Sequence, residues 1–333
     1  MNRQLFEYHP VVGYKFVPGI KARVPHESGG YLLRTNQAGF RCRHEFPVRK
    51  EPGRFRILLF GDSYTAGDGV SDPQRYGDVL EDMLPQTEVF NFGVPGTGLD
   101  QQYLIWREFG SPIEHDLVII SVMVENIRRI VAHYRPYLTA SGETVIMAKP
   151  YFVLTKEGSL DLRHVPVPKD PVSVEALPAE ERRTVDRGGD LVLLRRIVNA
   201  MGHRLKDQVQ RLMRYQPLPG YDRDDHPDWR LMEAILHTWL RETRTPVVVC
   251  PIPLYQYVEG TASAAAYQDR FRGLEDPPRV RVHDPLSDFL RHTPEERRGF
   301  RFEHDCHLTP SAHRVLAESL ARSVRPLVEQ RAA

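Results

Sequence analysis

Residues 54–70 read RFRILLFGDSYTAGDGV. Charged residues give way to an unbroken apolar run, Ile57–Phe60, which stops at Gly61-Asp62-Ser63 and passes into small residues. An apolar run with no polar alternation fits a strand covered on both faces. Gly, Asp and Ser are good turn formers, so one reading is that the strand merely ends here. The other is that Ser63 stands at the rim of a sheet for chemistry, and the rest of the chain decides between the two.

Four more apolar runs share this pattern: Glu88–Gly93, Asp116–Met123, Pro246–Pro253 and Val280–Pro285. Helix-like periodicity falls between and after them, at Pro73–Leu84, Gly98–Phe109, Asp228–Arg241, Ala262–Leu274 and Thr309–Val328. The last opens Thr309-Pro310-Ser311, with Pro at a plausible first helical position. Strand–helix alternation with short links predicts an α/β protein with an open, parallel, doubly wound sheet. Sites in such sheets form at the carboxyl ends of the strands, where Ser63 would stand.

Two regions lie outside the alternation. Residues 1–52, rich in Pro, Gly and aromatics, read as hairpins or loops packed on a core formed by 53–126 and 246–333. Residues 127–245 are too long for one crossover and read as an insert that caps the core. It combines a hairpin-like part (Thr144–Arg163), a Pro-rich linker (Val165–Pro178) and an amphipathic helix (Asp190–Arg214).

Composition sets outer bounds. With 333 residues, 41% hydrophobic and 27% charged, the chain has enough apolar material for one large domain or two ordinary ones. A formal net charge of +1 points to neither a nucleic-acid backbone nor an anionic membrane as partner. Cys42, Cys250 and Cys306 are odd in number and far apart, which indicates no disulfide framework and suits a reducing compartment. The first residues, MNRQLFEYHPVVGYKF, show no apolar leader core, and no run approaches a membrane span. A cytoplasmic location is the expectation.

The polar residues that end the strands form a constellation. Ser63 follows the first, Asn91-Phe92-Gly93 the second and Glu125-Asn126 the third, while His304-Asp305-Cys306-His307 precedes the last helix. A serine nucleophile needs a base within hydrogen-bond reach, and the base needs an orienting carboxylate. Ser63, His307 and Asp305 supply that set. Donors aimed at the developing oxyanion are worth roughly 3–4 kcal/mol each. The amides of Ser63 and Gly93 and the Asn126 side chain are the candidates, glycine allowing close backbone approach.

These blocks resemble the SGNH (GDSL-type) hydrolase superfamily, in particular its bacterial members. Gly61-Asp62-Ser63 is similar to the first block, Gly93 in NFGVPGTG to the second, Asn126 in MVENI to the third, and Asp305-Cys306-His307 to the fifth. Residues 13–41 also resemble what precedes the first block in many bacterial members. The blocks touch most of 10–126 and 246–328 but leave the insert uncovered. The resemblance implies a three-layer flavodoxin-like fold and ester hydrolysis or acyl transfer through an acyl-serine, with no metal or organic cofactor. One departure is Glu125-Asn126-Ile127, where the family often reads Gly-x-Asn-Asp or Gly-Asn-Asp.

Other readings of the same residues are weaker. His304, Asp305, His307 and His313 lack any known zinc spacing. The glycines at 61, 67 and 69 are not followed by the Lys-Ser/Thr of a phosphate loop, and Gly61-x-Ser63-x-Thr65 is not the Gly-x-Ser-x-Gly elbow. Asp62 reads as a loop-fixing carboxylate. Glu125, Arg128 and Arg129, with Arg135, Tyr134 and Tyr137 nearby, read either as a solvated face or as contacts for a polar or anionic substrate such as a sugar. The leading expectation is an esterase acting on an O-acyl ester, carbohydrate esters among them. The alternatives are an O-acyltransferase with the same acyl-serine and a catalytically inactive binding protein on the same fold.

Overall fold

The computed structural model describes residues 5–138, 144–179, 181–182 and 216–332. Two antiparallel hairpins come first, β1 (Phe6–His9) with β2 (Gly13–Phe16) and β3 (Lys21–Val24) with β4 (Tyr31–Arg34). Three core strands follow, β5 (Phe55–Phe60), β6 (Thr87–Asn91) and β7 (Leu117–Met123). Two more hairpins pair β8 (Tyr134–Leu138) with β9 (Thr144–Ala148) and β10 (Tyr151–Leu154) with β11 (Leu160–Arg163). The core resumes with β12 (Val247–Ile252) and β13 (Val280–Val282).

The core strands pair in the order β13-β12-β7-β5-β6, every pair parallel. Counted along the core this is 2-1-3-4-5, the flavodoxin-like order. It places the point where strand order reverses between β5 and β7, and there the carboxyl ends of neighbouring strands diverge into a crevice. Ser63 follows one of these strands and Asn126 the other.

Each of the five apolar runs overlaps a strand, for the reason their composition suggests. In β5 and β7 every residue is buried. Successive side chains alternate between the faces. Leu59 meets one helical layer, where a Cβ on Gly77 would fall 2.8 Å from its Cδ2. Phe60 meets the other, its ring 5.4 Å from that of Trp239. The first layer holds the helices Tyr76–Met83 and Pro310–Ala332, packed on one another; the second holds Leu99–Ile105 with Pro227–Glu242. The fifth run yields only three strand residues, because Asp284 Oδ1 accepts the Leu286 N–H (2.9 Å) and Pro285 has no N–H to donate. The helix expected over Gly98–Phe109 ends in a π-helical turn, Trp106–Gly110.

Residues 5–52 are tied to the core by a buried arginine. Arg41, 0% exposed, donates to the carbonyl oxygens of Leu32 (2.8 Å), Ala66 (3.0 Å), Gly67 (2.5 Å) and Val70 (2.6 Å), and pairs with Asp72 (3.0 Å). A guanidinium buried with a carboxylate and several carbonyls has its donors satisfied. The hairpin expected over Thr144–Arg163 takes the form of β9 paired back to β8, followed by β10 with β11. Lys149 in this part forms a buried ion pair with Asp100 of the helix Leu99–Ile105. The helix read over Asp190–Arg214 lies outside the described residues. Among the described residues no helix is long and apolar enough to cross a membrane.

Candidate active site

The segment after β5 holds Ser63 by local chemistry. Asp62 caps the helix Ser63–Ala66, its Oδ1 accepting the Tyr64 N–H (3.0 Å). Gly67 closes that helix in the left-handed region at φ +81°, where glycine carries no Cβ penalty. A Cβ on Gly61 would sit 1.9 Å from Thr65 Oγ1, so only glycine lets the chain turn this tightly into the helix. The second Asp62 oxygen accepts from Arg129 (2.6 Å), which also reaches the Thr97 carbonyl (3.2 Å). Asp62 is 1% exposed and fully bonded, a loop-fixing carboxylate in its geometry.

The carboxyl-terminal segment arrives from the other side. Leu308 bridges to Arg301, the Thr309 N–H donates to the Phe300 carbonyl (3.0 Å), and the helix Pro310–Ala332 begins there. Tyr64 OH donates to the Cys306 carbonyl (2.9 Å), fastening this segment to the helix that carries Ser63. Ser63 Oγ and His307 Nε2 are 2.8 Å apart, and His307 Nδ1 lies 2.5 Å from Asp305 Oδ1. Asp305 Oδ1 also accepts the His307 backbone N–H (3.1 Å). A carboxylate can only accept, so the imidazole proton sits on Nδ1 and the Nε2 lone pair faces the serine hydroxyl. Three residues read from the sequence as nucleophile, base and orienter thus form one hydrogen-bonded chain.

The charges around the ring bias it. Burial alone would lower the His307 pKa, but the hydrogen bond His307 donates to Asp305 and the carboxylates of Asp68, Asp305 and Asp62 raise it above the ordinary 6.5. Burial pushes Asp305 up, and its hydrogen bonds to His307 and His26 together hold it well below the usual carboxylate range. Burial raises Asp68, against the pull of His307 and Arg41. His313 is a different case. It is 1% exposed, its Nδ1 accepts the Tyr76 N–H (3.1 Å), and burial beside Arg41 and Arg75 drops it to about 3, so it is a neutral part of the core. Among the described residues, one group of three metal-capable side chains is close enough to share an ion, Asp305-Cys306-His307. The Asp305 and His307 atoms in it are hydrogen-bonded to each other.

The expected oxyanion donors fare differently. The Ser63 N–H heads a helix, where a backbone amide has no intrahelical acceptor. The Gly93 N–H is turned into its own loop and donates to Asn91 Oδ1 (2.8 Å). The missing side chain of Gly93 makes room for the nucleophile's helix rather than for a ligand. A Cβ there would lie 2.4 Å from the Ala66 nitrogen and 2.8 Å from the Thr65 carbonyl carbon. Asn91 completes this join, its Nδ2 donating to the Thr65 carbonyl (2.8 Å). Asn126 is 0% exposed, and both its Nδ2 and its Oδ1 lack a hydrogen-bond partner. An unpartnered buried amide is costly, and so it marks a place where a ligand's polar atom would be welcome.

Glu125, Arg128 and Arg129 hold protein groups. Arg129 pairs with Asp62, as above, and lies 3.9 Å from Glu125; Arg128 donates to the Pro217 carbonyl and lies 3.7 Å from Glu125. The sequence reading missed Arg41, whose signal was its place in the segment just before the first block. It also missed His26, whose Nε2 lies 3.3 Å from Asp305 Oδ2 and for which no local motif speaks.

No protein-family model and no curated protein matches this chain. Several solved structures are similar to it at low identity. A lipase from a goat rumen metagenome is 13% identical with a TM-score of 0.43, over 81% of this chain and 98% of the other. A member of the lipolytic protein G-D-S-L family from Veillonella parvula is 10% identical with a TM-score of 0.41, over 80% and 97%. An acetyl xylan esterase, AlAXEase, is 13% identical with a TM-score of 0.43, over 81% and 100%. Likeness at this level assigns no activity to this chain.

Proposed function

We propose that this chain is a serine ester hydrolase of the SGNH type, acting on an O-acyl ester through an acyl-serine. One observation carries the proposal: Ser63 Oγ, His307 and Asp305 are linked at 2.8 and 2.5 Å, beside the crevice where the sheet's strand order reverses. His307 Nε2 takes the hydroxyl proton as Ser63 Oγ attacks the ester carbonyl. The C–O π pair moves onto oxygen, and the oxyanion is met by the Ser63 N–H and the unpartnered Asn126 amide. Gly93 contributes by setting the distance between its loop and the helix of Ser63. The imidazolium returns its proton to the leaving alkoxide as the C–O bond breaks, leaving acyl-Ser63 and a free alcohol. Water then loses a proton to His307, attacks the acyl carbon and releases the acid, and Ser63 recovers its proton. Asp305 stays ionised throughout, holding the tautomer and stabilising the imidazolium.

In this reading, the strands β8 to β11 cap the core, with Lys149 on Asp100 as one anchor. The helix Pro227–Glu242, expected within the insert, belongs to the core's own helical layer. Carbohydrate esters are the substrates to try first. Intact-protein mass after exposure to a fluorophosphonate, run beside Ser63→Ala, tests the nucleophile. One adduct on the parent and none on the variant is expected. A folded parent that takes no adduct would sink the proposal. An added alcohol acceptor then reads transfer against hydrolysis.

A further inference from the structure

The turn between β3 and β4 reaches both halves of the candidate triad through three consecutive residues. The ring of His26, with a side chain 11% exposed, places Nε2 3.3 Å from Asp305 Oδ2, the carboxylate oxygen that His307 does not use. Glu27 accepts the His304 N–H with both carboxylate oxygens (3.0 and 3.1 Å). Ser28 Oγ–H donates to the Gly69 carbonyl (3.1 Å), just past the helix of Ser63. His26 packs edge-on against Phe302, centroids 4.6 Å apart, and both rings close over Gly69. Gly69 has φ +87°, and a Cβ there would lie 2.6 Å from Phe302 Cε2 and 3.1 Å from His26 Cε1. Its lack of a side chain is what lets the turn sit down.

The direction of the His26 bond follows from its neighbours. The Ser28 backbone N–H can only donate, and it lies 3.2 Å from His26 Nδ1. Nδ1 also lies 2.9 Å from Ser28 Oγ, and because the Asp305 carboxylate can only accept, the 3.3 Å contact requires a ring proton on Nε2, aimed at Asp305. Asp305 then receives three donors: the His307 ring, the His307 amide and His26. A carboxylate held by a donor on each oxygen cannot rotate away from the imidazole it orients. Outer hydrogen-bond partners of metal-ligating histidines change activity by about 10–100-fold when removed, and an effect of that order is expected for a partner of Asp305.

We propose that His26 is a positioning residue of the triad: by holding Asp305 Oδ2 it fixes the plane in which Oδ1 meets His307, and so makes the amino-terminal hairpins part of the active site. This rests on the serine-hydrolase reading. It assigns residues 26–28 a role that no strand-end block carries.

The experiment compares the parent with His26→Ala and His26→Gln, the latter keeping an N–H donor. Two quantities are read: the fluorophosphonate labelling rate, and the titration of His307 followed by nuclear magnetic resonance, which needs no turnover. With Ala, labelling should slow by about 10–100-fold. The His307 titration should move downward, because Asp305, free to turn away, bonds the imidazolium less well, with Asp62 and Asp68 unchanged around it. Gln should restore most of both. Parent-like values in His26→Ala would overturn the proposal. So would a slower rate with an unmoved titration and no rescue by Gln, which is the pattern of a purely structural contact. A parent that fails to label counts against the serine-hydrolase reading, and the His307 titration still decides whether His26 governs Asp305.

Discussion

Asn126→Ala separates a group kept for folding from one kept for chemistry. In the folded chain the Asn126 amide is enclosed, and neither its Nδ2 nor its Oδ1 has a partner. Leaving a buried donor or acceptor unsatisfied costs about 1–3 kcal/mol. Truncation to Ala removes that penalty and opens a void of ~25 Å³, which at ~24 cal/mol per Å³ costs about 0.6 kcal/mol. Asn126 also starts a helical turn, Asn126–Arg129, where Ala is a better helix former by up to ~0.7 kcal/mol. The net effect on stability is near zero or slightly favourable, so Tm should stay within about 2–4 °C of the parent or rise. Loss of an oxyanion donor should lower reactivity by about 10²–10³, or 2.7–4 kcal/mol. The assay is the second-order rate of fluorophosphonate labelling, whose tetrahedral phosphonyl oxygen uses the same donors, read beside thermal unfolding. Slow labelling with an intact Tm is the expected result. Labelling at the parent rate would refute the oxyanion role, and a rate that falls only in step with a large drop in Tm would mean the amide is structural.

Gly93→Ala should slow labelling and also lower stability, because its Cβ would fall 2.4 Å from the Ala66 nitrogen, a backbone atom that cannot swing away. Overpacking of this kind costs about 1–3 kcal/mol, and a displacement of ~1 Å in the nucleophile can cost about 10²-fold; an unchanged Tm and rate would show that the loop gives way freely. In the parent, labelling should rise with pH through a midpoint above 6.5, because the neutral His307 is the base and its neighbours raise its pKa. A rate that is flat from about pH 5 to 8 would remove His307 from that role. The same shift acts on stability with the opposite sense. His307 titrates higher folded than unfolded, so its stabilisation is whole below 6.5 and fades as pH rises through the folded value. The Asp305 pKa is depressed, so its contribution is present above 3.8 and lost as pH falls through its folded value. Thermal melts of His307→Ala against the parent across that range would check the first of these signs.

The local parts of this protein were readable along the chain. Leu117–Met123 and Val247–Ile252 carry no polar alternation because both faces are covered, and burial of that kind is written in composition alone. Gly61-Asp62-Ser63 states a strand end, a cap and a candidate nucleophile within three residues, and Asp305-x-His307 is close enough to bond within itself. What a residue touches across the fold was not readable. Gly93, expected to admit a ligand, makes room for the Thr65–Ala66 backbone, and its amide serves Asn91. Arg129, read as a surface cation or substrate contact, is bound to Asp62.

Strand order was likewise decided only by packing. The alternation of elements is consistent with several windings, and the observed β13-β12-β7-β5-β6 order is the one that sets β5 beside β7 and puts Ser63 at the reversal point. His26 is the clearest case of what the chain alone hides. It lies 279 residues from Asp305, in a turn whose sequence needs only to be a turn, and its partner is chosen by the docking of a hairpin. Pattern along a chain records whether a side chain is buried and which way the backbone bends, because both act over a few residues. Which groups meet depends on how whole layers settle, and the energy of that choice is spread over the entire core.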